Sequence, residues 1–251
     1  MPNRWSWLAL GVGAYLAFTL ASFPATTAYR WFAREPVRLT GIEGTVWAGR
    51  ASFGSVAELA LSDIRWRFHP LPLLLGRATA DLEARLPDGF VSGRVAATPS
   101  TIELTQVKAS TSLPTLQVVL PLQGMRGQAS AEFSRVRLED GWPTAIVGRL
   151  RLQNLQVPPL GGQQLVAIGN YEITFDDETL ADGLTGMFHD TGGPLEATGT
   201  LRLDAKRAYK IDGLIKPRPD ASPELVQGLK FLTSEPDAQG RRRLDLPSGT
   251  L

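Results

Sequence analysis

The first thirty residues constrain the fold more than any other stretch, because they contain a long run without a charged side chain. From Trp5 to Tyr29 the chain has no Asp, Glu, Lys or Arg, and Arg4 and Arg30 flank this run. A helix needs about 20 mainly apolar residues to cross a hydrocarbon core roughly 30 Å thick. Aromatic rings favour the headgroup level of a bilayer, and they stand near both ends of the run, at Trp5, Trp7, Tyr29, Trp31 and Phe32. The run therefore predicts a transmembrane anchor within residues 1–30.

Two alternatives compete with an anchor. A cleaved signal peptide has an apolar core of only about 7–15 residues, although residues 19–21 resemble a cleavage site. A buried core helix would show a polar stripe at helical spacing, and none interrupts the run. The flanking charges bear on the orientation of the anchor, since Arg4 precedes it, whereas Arg30, Arg34 and Arg38 follow it. By the positive-inside rule alone, this count would place the long side of the chain in the cytoplasm.

Composition excludes several classes of site. The chain has 251 residues, with 26 Lys and Arg against 25 Asp and Glu, and no cysteine. Because the charges nearly balance, no basic field favours nucleic acid as a partner. The lack of cysteine excludes disulfides, thiolate metal ligands and a cysteine nucleophile. Residues 31–251 are long enough for one sizeable domain or two small ones, and a weak boundary is predicted at 114–127.

Alternation with a period of two residues dominates the chain after the anchor. Ile64, Trp66 and Phe68 alternate with Arg65 and Arg67, which is typical of a strand with one buried face. Similar alternation predicts further strands, among them 80–86, 90–97, 101–108, 116–120 and 244–246. A glycine followed by a polar or charged residue also recurs, which predicts similar turns at one edge of a long meander, at Gly49, Gly76, Gly127, Gly148, Gly199 and Gly240.

One segment near the end has a helical signature instead. Ser222 is a suitable N-cap, Pro223 suits the first helical position, and three leucines follow at helical spacing, so a short amphipathic helix is predicted over 223–232. The predicted fold class is therefore mostly β. An amino-terminal transmembrane helix precedes an antiparallel β meander, which forms either a curled sheet or a sandwich.

A search for catalytic or metal-binding groups finds little. His69 precedes a proline, and His189 stands beside Asp190, but no Gly-x-Ser-x-Gly nucleophile motif accompanies them. Two distant histidines without cysteine do not make a zinc site, and the acidic residues at 176–182 lack the spacing of a calcium loop. The sequence thus predicts no enzyme activity, no metal and no cofactor.

Several short segments stand above this background. The first group is Gly44-Thr45-Val46-Trp47-Ala48-Gly49, Leu61-Ser62-Asp63-Ile64-Arg65-Trp66 and Pro70-Leu71-Pro72-Leu73-Leu74-Leu75-Gly76. Near the end stand a tyrosine-containing hairpin at 209–213, the leucine helix, and a turn at 236–240. In this order, behind a single anchor, the segments resemble the type II secretion system protein N family of the general secretion pathway.

The resemblance implies a location and a role. It implies a bitopic protein of the cell inner membrane with a cytoplasmic amino terminus and a periplasmic β domain, against the arginine count above. It implies contacts with other type II secretion components rather than catalysis, and it supplies no catalytic residues. We single out five residues as a structural motif: Gly44, Trp47, Gly49, Trp66 and Gly76. We expect Trp47 to cover the space that Gly44 and Gly49 leave, and Trp66 to fill the core.

An alternative function comes from another class of protein. A curled meander behind one anchor also resembles the groove-like domains of AsmA-type and lipopolysaccharide-transport proteins, which hold acyl chains. Such a lipid-binding groove should be lined by exposed leucine, valine and phenylalanine with no opposing layer.

Overall fold

The computed structural model describes residues 4–32, 37–120, 122–158, 164–176, 183–204, 208–233 and 235–250. Four α-helices are present in these ranges: α1 (Arg4–Ala21), α2 (Ala25–Phe32), the single turn α3 (Leu113–Leu116) and α4 (Pro223–Leu232). A 3₁₀ helix spans Leu71–Leu75. The strands are β1 (Val37–Gly44), β2 (Ala48–Val56), β3 (Leu59–His69), β4 (Ala78–Leu86), β5 (Gly89–Ala97), β6 (Thr101–Ser112), β7 (Arg126–Glu139), β8 (Trp142–Val157), β9 (Val166–Phe175), β10 (Leu184–Gly192), β11 (Leu195–Leu203), β12 (Ala208–Pro217) and β13 (Arg242–Thr250).

The described strands form one antiparallel sheet of 13 strands, in which each strand pairs with its neighbours in the chain. The predicted mostly-β fold with an antiparallel meander is confirmed. Between its two alternatives, the structure has the curled sheet. Strand β6 pairs with β7 along eleven registered positions, from Thr101 to Ser112, so the sheet runs unbroken past the region at 114–127.

The register gives the sheet two chemically different faces. Residues directly opposite each other on paired strands point to the same side. One row of such partners runs from β1 to β9 and is mostly charged: Glu43, Arg50, Arg65, Glu83, Ser92, Lys108, Glu132, Arg149 and Thr174. The neighbouring row points to the other side and is apolar from β4 to β10: Ala84, Val91, Ala109, Ala131, Leu150, Ile173 and Phe188. We call these sides the charged face and the apolar face.

The main buried cluster lies at the carboxy-terminal half of the sheet. Tyr171, Ala197 and Ile215 from β9, β11 and β12 pack there with Leu225 and Leu229 of α4. The predicted helix at 223–232 is confirmed, and the side chain of its cap, Ser222, accepts a hydrogen bond from Leu225 N at 3.2 Å. This capping fixes the start of α4, so its two buried leucines face the sheet.

The amino-terminal segment forms two helices instead of one long one. α1 ends at Ala21, and α2 begins after Pro24 and runs back along β1. Among the described residues, none of the helices is both long enough and apolar enough to cross a membrane. The predicted transmembrane anchor therefore stays a prediction.

Two sequence expectations about local structure are wrong. Residues 116–120 were expected to be a strand, but α3 and a following turn occupy this region. Pro114 lacks a backbone donor and suits the first turn of a helix better than a strand. Gly49, Gly127, Gly148 and Gly199 were expected in turns, but each lies within a strand.

Candidate interaction site

The turn between β1 and β2 joins the amino-terminal helices to the sheet. Val46 N donates a hydrogen bond to Phe23 O at 3.1 Å, and Thr45 forms an isolated β-bridge with Pro24. The indole Nε1 of Trp47 donates to Leu20 O at 2.8 Å, close to the end of α1. Because a helix leaves its last carbonyls without partners inside the helix, this indole bond stabilises the end of α1. The segment 44–49 is therefore the junction between α1, α2 and the sheet.

Two glycines allow the junction to be this tight. Gly44 has φ +91°, and a Cβ there would lie 2.6 Å from Ala48 O. A Cβ on Gly49 would lie 2.6 Å from Glu43 O and would overlap the indole of Trp66. The residue that covers Gly49 is thus Trp66, with its Nε1 donating to Thr45 O at 3.2 Å. Trp47 does not take that place, since it contacts Phe68, with ring centroids 5.8 Å apart.

The pairing of Trp66 with Gly49 is repeated elsewhere on the apolar face. In each case an aromatic ring lies directly across the strand pair from a glycine. The further pairs are Phe133 with Gly148, Phe175 with Gly186, and Phe188 with Gly199. An aromatic ring over a cross-strand glycine covers backbone that would otherwise be exposed. For Gly49, Gly148 and Gly199 the sequence signal was the recurring glycine, which was interpreted as a turn.

Tyr29 of α2 protects the outer edge of the first strand. Its hydroxyl accepts a hydrogen bond from Leu39 N at 2.9 Å and donates to Val37 O at 3.4 Å. An edge strand normally presents such groups unpaired, which makes it a template for another chain. The first edge of the sheet is therefore partly occupied by the protein's own helix. The sequence contained no signal for this role of Tyr29.

Among the described large apolar side chains, three leucines of the 3₁₀ helix are the most exposed. Leu71, Leu74 and Leu75 are 75%, 84% and 88% exposed. Gly76 ends this helix with φ +70°, the left-handed conformation that glycine adopts without steric cost. The helix follows β3 directly, and Phe68 N donates to Trp47 O. The exposed leucines thus lie at the same end of the sheet as the junction.

A groove of about 1560 Å³ lies along the charged face of β1 to β9. Its lining includes charged side chains that pair with one another across strands, such as Arg50 with Glu43 at 2.6 Å and Arg149 with Glu132 at 3.2 Å. The lipid-binding alternative called for a lining of leucine, valine and phenylalanine. Most of the residues that line this groove are charged or polar, so the groove suits polar partners better than acyl chains.

Asp81 is the centre of a small polar cluster in this groove. It accepts a hydrogen bond from Arg94 Nε at 2.6 Å and contacts His69 Nε2 at 2.8 Å. The bond from Arg94, with a smaller contribution from His69, holds the pKa of the Asp81 carboxyl below its ordinary value despite partial desolvation. His69 is thus engaged at the end of β3 rather than lying in a solvated loop.

The second histidine, His189, also lies in a strand, and the neighbouring Asp190 is bound to other residues. His189 is exposed on β10. The Asp190 carboxylate accepts hydrogen bonds from Arg218 Nη2 at 2.6 Å and Ala197 N at 3.1 Å. Asp190 therefore links three segments of the chain instead of orienting the imidazole. Within the described residues, no group of three or more His, Cys, Asp and Glu side chains could hold a metal ion.

Comparison with known proteins identifies relatives along most of the chain. A family model described as type II secretion system (T2SS), protein N matches residues 35–245. The type II secretion system protein N of Aeromonas hydrophila is 28% identical over 243 residues, which cover 93% of each chain. The protein of the same name from Vibrio cholerae serotype O1 is 26% identical over 216 residues, covering 82% of each chain. No solved structure gives a significant match.

Proposed function

Because the chain belongs to the type II secretion system protein N family, we propose that it acts in this secretion pathway as a non-catalytic inner-membrane component. In this proposal α1 is held in the inner membrane with the amino terminus in the cytoplasm, and the sheet lies in the periplasm. The protein then works by contacting other secretion components in the envelope. The observation that carries the proposal is the junction at 44–49, through which the amino-terminal helices and the sheet form one unit.

The surface of α1 supports its attachment to a membrane. Large apolar side chains of α1 are exposed to solvent, and Leu10, Tyr15 and Phe18 are 63%, 70% and 71% exposed. Exposed apolar surface of this extent marks contact with protein or lipid. The bond from Trp47 to Leu20 O then ties the position of the sheet to the position of that helix.

The free edge of the sheet supports contact by strand addition. In the described part of the chain, β13 pairs with β12 alone, whereas Tyr29 already occupies part of the β1 edge. An extended segment of a partner can pair with an open edge through backbone hydrogen bonds. Of the two edges predicted as contact sites, β13 is therefore the better candidate.

The proposed contact is tested by site-specific photocrosslinking in intact cells. A crosslinking residue at Arg243 lies on β13, and the matched control at Thr200 lies on the same face, in the interior strand β11. We expect crosslinks to secretion components from position 243 and none from position 200. Equal products from both positions would contradict edge recognition. If deleting the protein changed neither secretion nor the amounts of the other components, the proposed role itself would be wrong.

The orientation is tested separately with single-cysteine variants, because the chain has no cysteine of its own. A cysteine at Phe53 should react with a membrane-impermeant maleimide added from the periplasmic side. A cysteine at Asn3 should react only after the inner membrane is permeabilised. The opposite result would restore the orientation that the arginine count predicts.

A further inference from the structure

The 3₁₀ helix forms a compact apolar tip whose position relative to α1 is fixed. Leu71, Leu74 and Leu75 are all at least 75% exposed. The tip follows β3, whose Phe68 packs against Trp47 and donates its backbone N–H to Trp47 O. Trp47 in turn donates to Leu20 O near the end of α1. A short series of contacts therefore connects the leucine tip to the carboxy-terminal end of α1.

The opposite end of the sheet has a comparable apolar cluster without this connection. Val118, Val119 and Leu120 are 50%, 42% and 46% exposed in the turn after α3. This turn follows the end of β6 that lies away from the junction. The two ends are separated by about 30 Å, the length of a nine-residue strand such as β4 at roughly 3.3 Å per residue. The chain thus contains an internal control for exposed apolar surface.

We propose that the 3₁₀ helix Leu71–Leu75 inserts its leucines into the same lipid leaflet that α1 enters, so that the sheet contacts the bilayer at two points. This inference rests on the proposed membrane attachment of α1. A bilayer is the occupant that fits, because an apolar tip beside a membrane-attached helix meets the acyl boundary without any further partner. Such a second contact would limit rotation of the sheet about the end of α1.

The test uses the full chain in vesicles of phosphatidylethanolamine and phosphatidylglycerol. An environment-sensitive fluorophore is attached to single cysteines that replace Val12 in α1, Leu74 in the tip, or Val118 as the control. Nitroxide-labelled lipids then report contact with the acyl region. We expect blue-shifted emission and quenching at positions 12 and 74, and neither at position 118.

A second variant separates direct insertion from general proximity. Substituting Leu71→Ser and Leu75→Ser in the chain labelled at position 74 should abolish the quenching there. Both leucines are exposed, so the fold should tolerate serine. The label at position 12 should remain quenched in the same background.

The outcomes distinguish this inference from the proposed attachment. Quenching at position 12, with position 74 resembling position 118, would overturn the inference and leave the attachment of α1 intact. No quenching at position 12 would refute the attachment and, with it, the inference. A blue shift at position 74 without nitroxide quenching would assign the tip to a protein contact, such as a second copy of the chain, and would also overturn the inference.

Discussion

Gly49→Ala and Gly228→Ala introduce the same methyl group, and the structure predicts stability changes of opposite sign. Gly49 lies in β2 opposite Trp66, whereas Gly228 lies inside α4. At Gly228 a new Cβ would have no atom within 4 Å apart from its chain neighbours and the backbone of its own helix. At Gly49 it would lie 2.6 Å from Glu43 O and 2.9 Å from Trp66 Cε2. Carbon atoms in favourable contact are about 3.5–4.0 Å apart, so a strand or the indole must move.

The magnitudes follow from these surroundings. Overpacking of this kind costs about 1–3 kcal/mol, and restricting the unfolded chain by Gly→Ala offsets about 0.4–1 kcal/mol of that cost. For Gly49→Ala the middle of these two ranges leaves a net loss of about 1–2 kcal/mol. Replacing glycine by alanine inside a helix stabilises it by roughly 0.5–1 kcal/mol, which is the gain expected for Gly228→Ala.

Thermal unfolding in a mild non-ionic detergent, followed by far-UV circular dichroism, is the assay. For a domain of this size, 1 kcal/mol corresponds to about 2–4 °C in Tm. Gly49→Ala should therefore lower Tm by about 2–8 °C, and Gly228→Ala should raise it by about 1–4 °C. Urea unfolding followed by tryptophan fluorescence gives the same comparison as a free energy.

A second substitution identifies the cause. If the indole is part of the obstacle, Gly49→Ala should cost less in a Trp66→Leu background than in the natural chain. Contacting residues couple by about 0.5–3 kcal/mol in such double-mutant cycles. A Gly49→Ala protein as stable as the natural chain, or a cost unaffected by Trp66→Leu, would refute the packing of Trp66 over Gly49.

Three further predictions test other parts of the fold. Asp190→Asn should destabilise the protein by about 1–3 kcal/mol, since it weakens charged hydrogen bonds to a nearly buried carboxylate. A double-mutant cycle with Arg218→Met, measured by urea unfolding, should show coupling between the two sites. Desolvation opposes ionisation of Asp88, but hydrogen bonds from Thr111, Ser112 and Thr115 outweigh it, so the pKa of Asp88 is lowered. Its carboxylate therefore stabilises the fold above about pH 4, the ordinary Asp pKa, and this contribution is lost as pH falls through the lowered pKa. Unfolding at several pH values should accordingly show Asp88→Asn less stable than the natural chain at pH 7 and nearly equal at low pH. Trp47→Phe keeps an aromatic ring but removes the indole hydrogen bond to Leu20 O. The link between the end of α1 and the sheet should then loosen, so limited proteolysis should cut residues 20–24 faster while Tm falls by only a few degrees.

The sequence predicted the elements whose signals are local. The alternation of Ile64, Trp66 and Phe68 with arginines predicted β3. Ser222 and Pro223 predicted the start of α4, and the spacing of its leucines predicted its continuation. Capping and periodicity depend on neighbouring residues, so the sequence contains both signals. These predictions needed no knowledge of which strands pair.

Features that depend on pairing were beyond the sequence. Period-2 alternation indicates a buried face but does not tell whether that face meets a second sheet, so curled sheet and sandwich remained open. The position of Trp66 over Gly49 depends on the register of β2 with β3. From the sequence, Trp47 was closer to both glycines and was wrongly chosen. The role of Tyr29 depends on α2 turning back along β1, a path determined by the junction.

The main buried cluster and the groove on the charged face lie in different regions of the sheet. The main buried cluster joins α4 to the carboxy-terminal half of the sheet, whereas the groove extends over the charged face from β1 to β9. Its ion pairs are half-exposed, as Arg149 and Glu132 are, and such pairs contribute only about 0–1 kcal/mol each. A charge reversal such as Arg149→Glu should therefore leave the fold intact. Loss of secretion in that variant would then report loss of a contact on the charged face, because unfolding would not explain it.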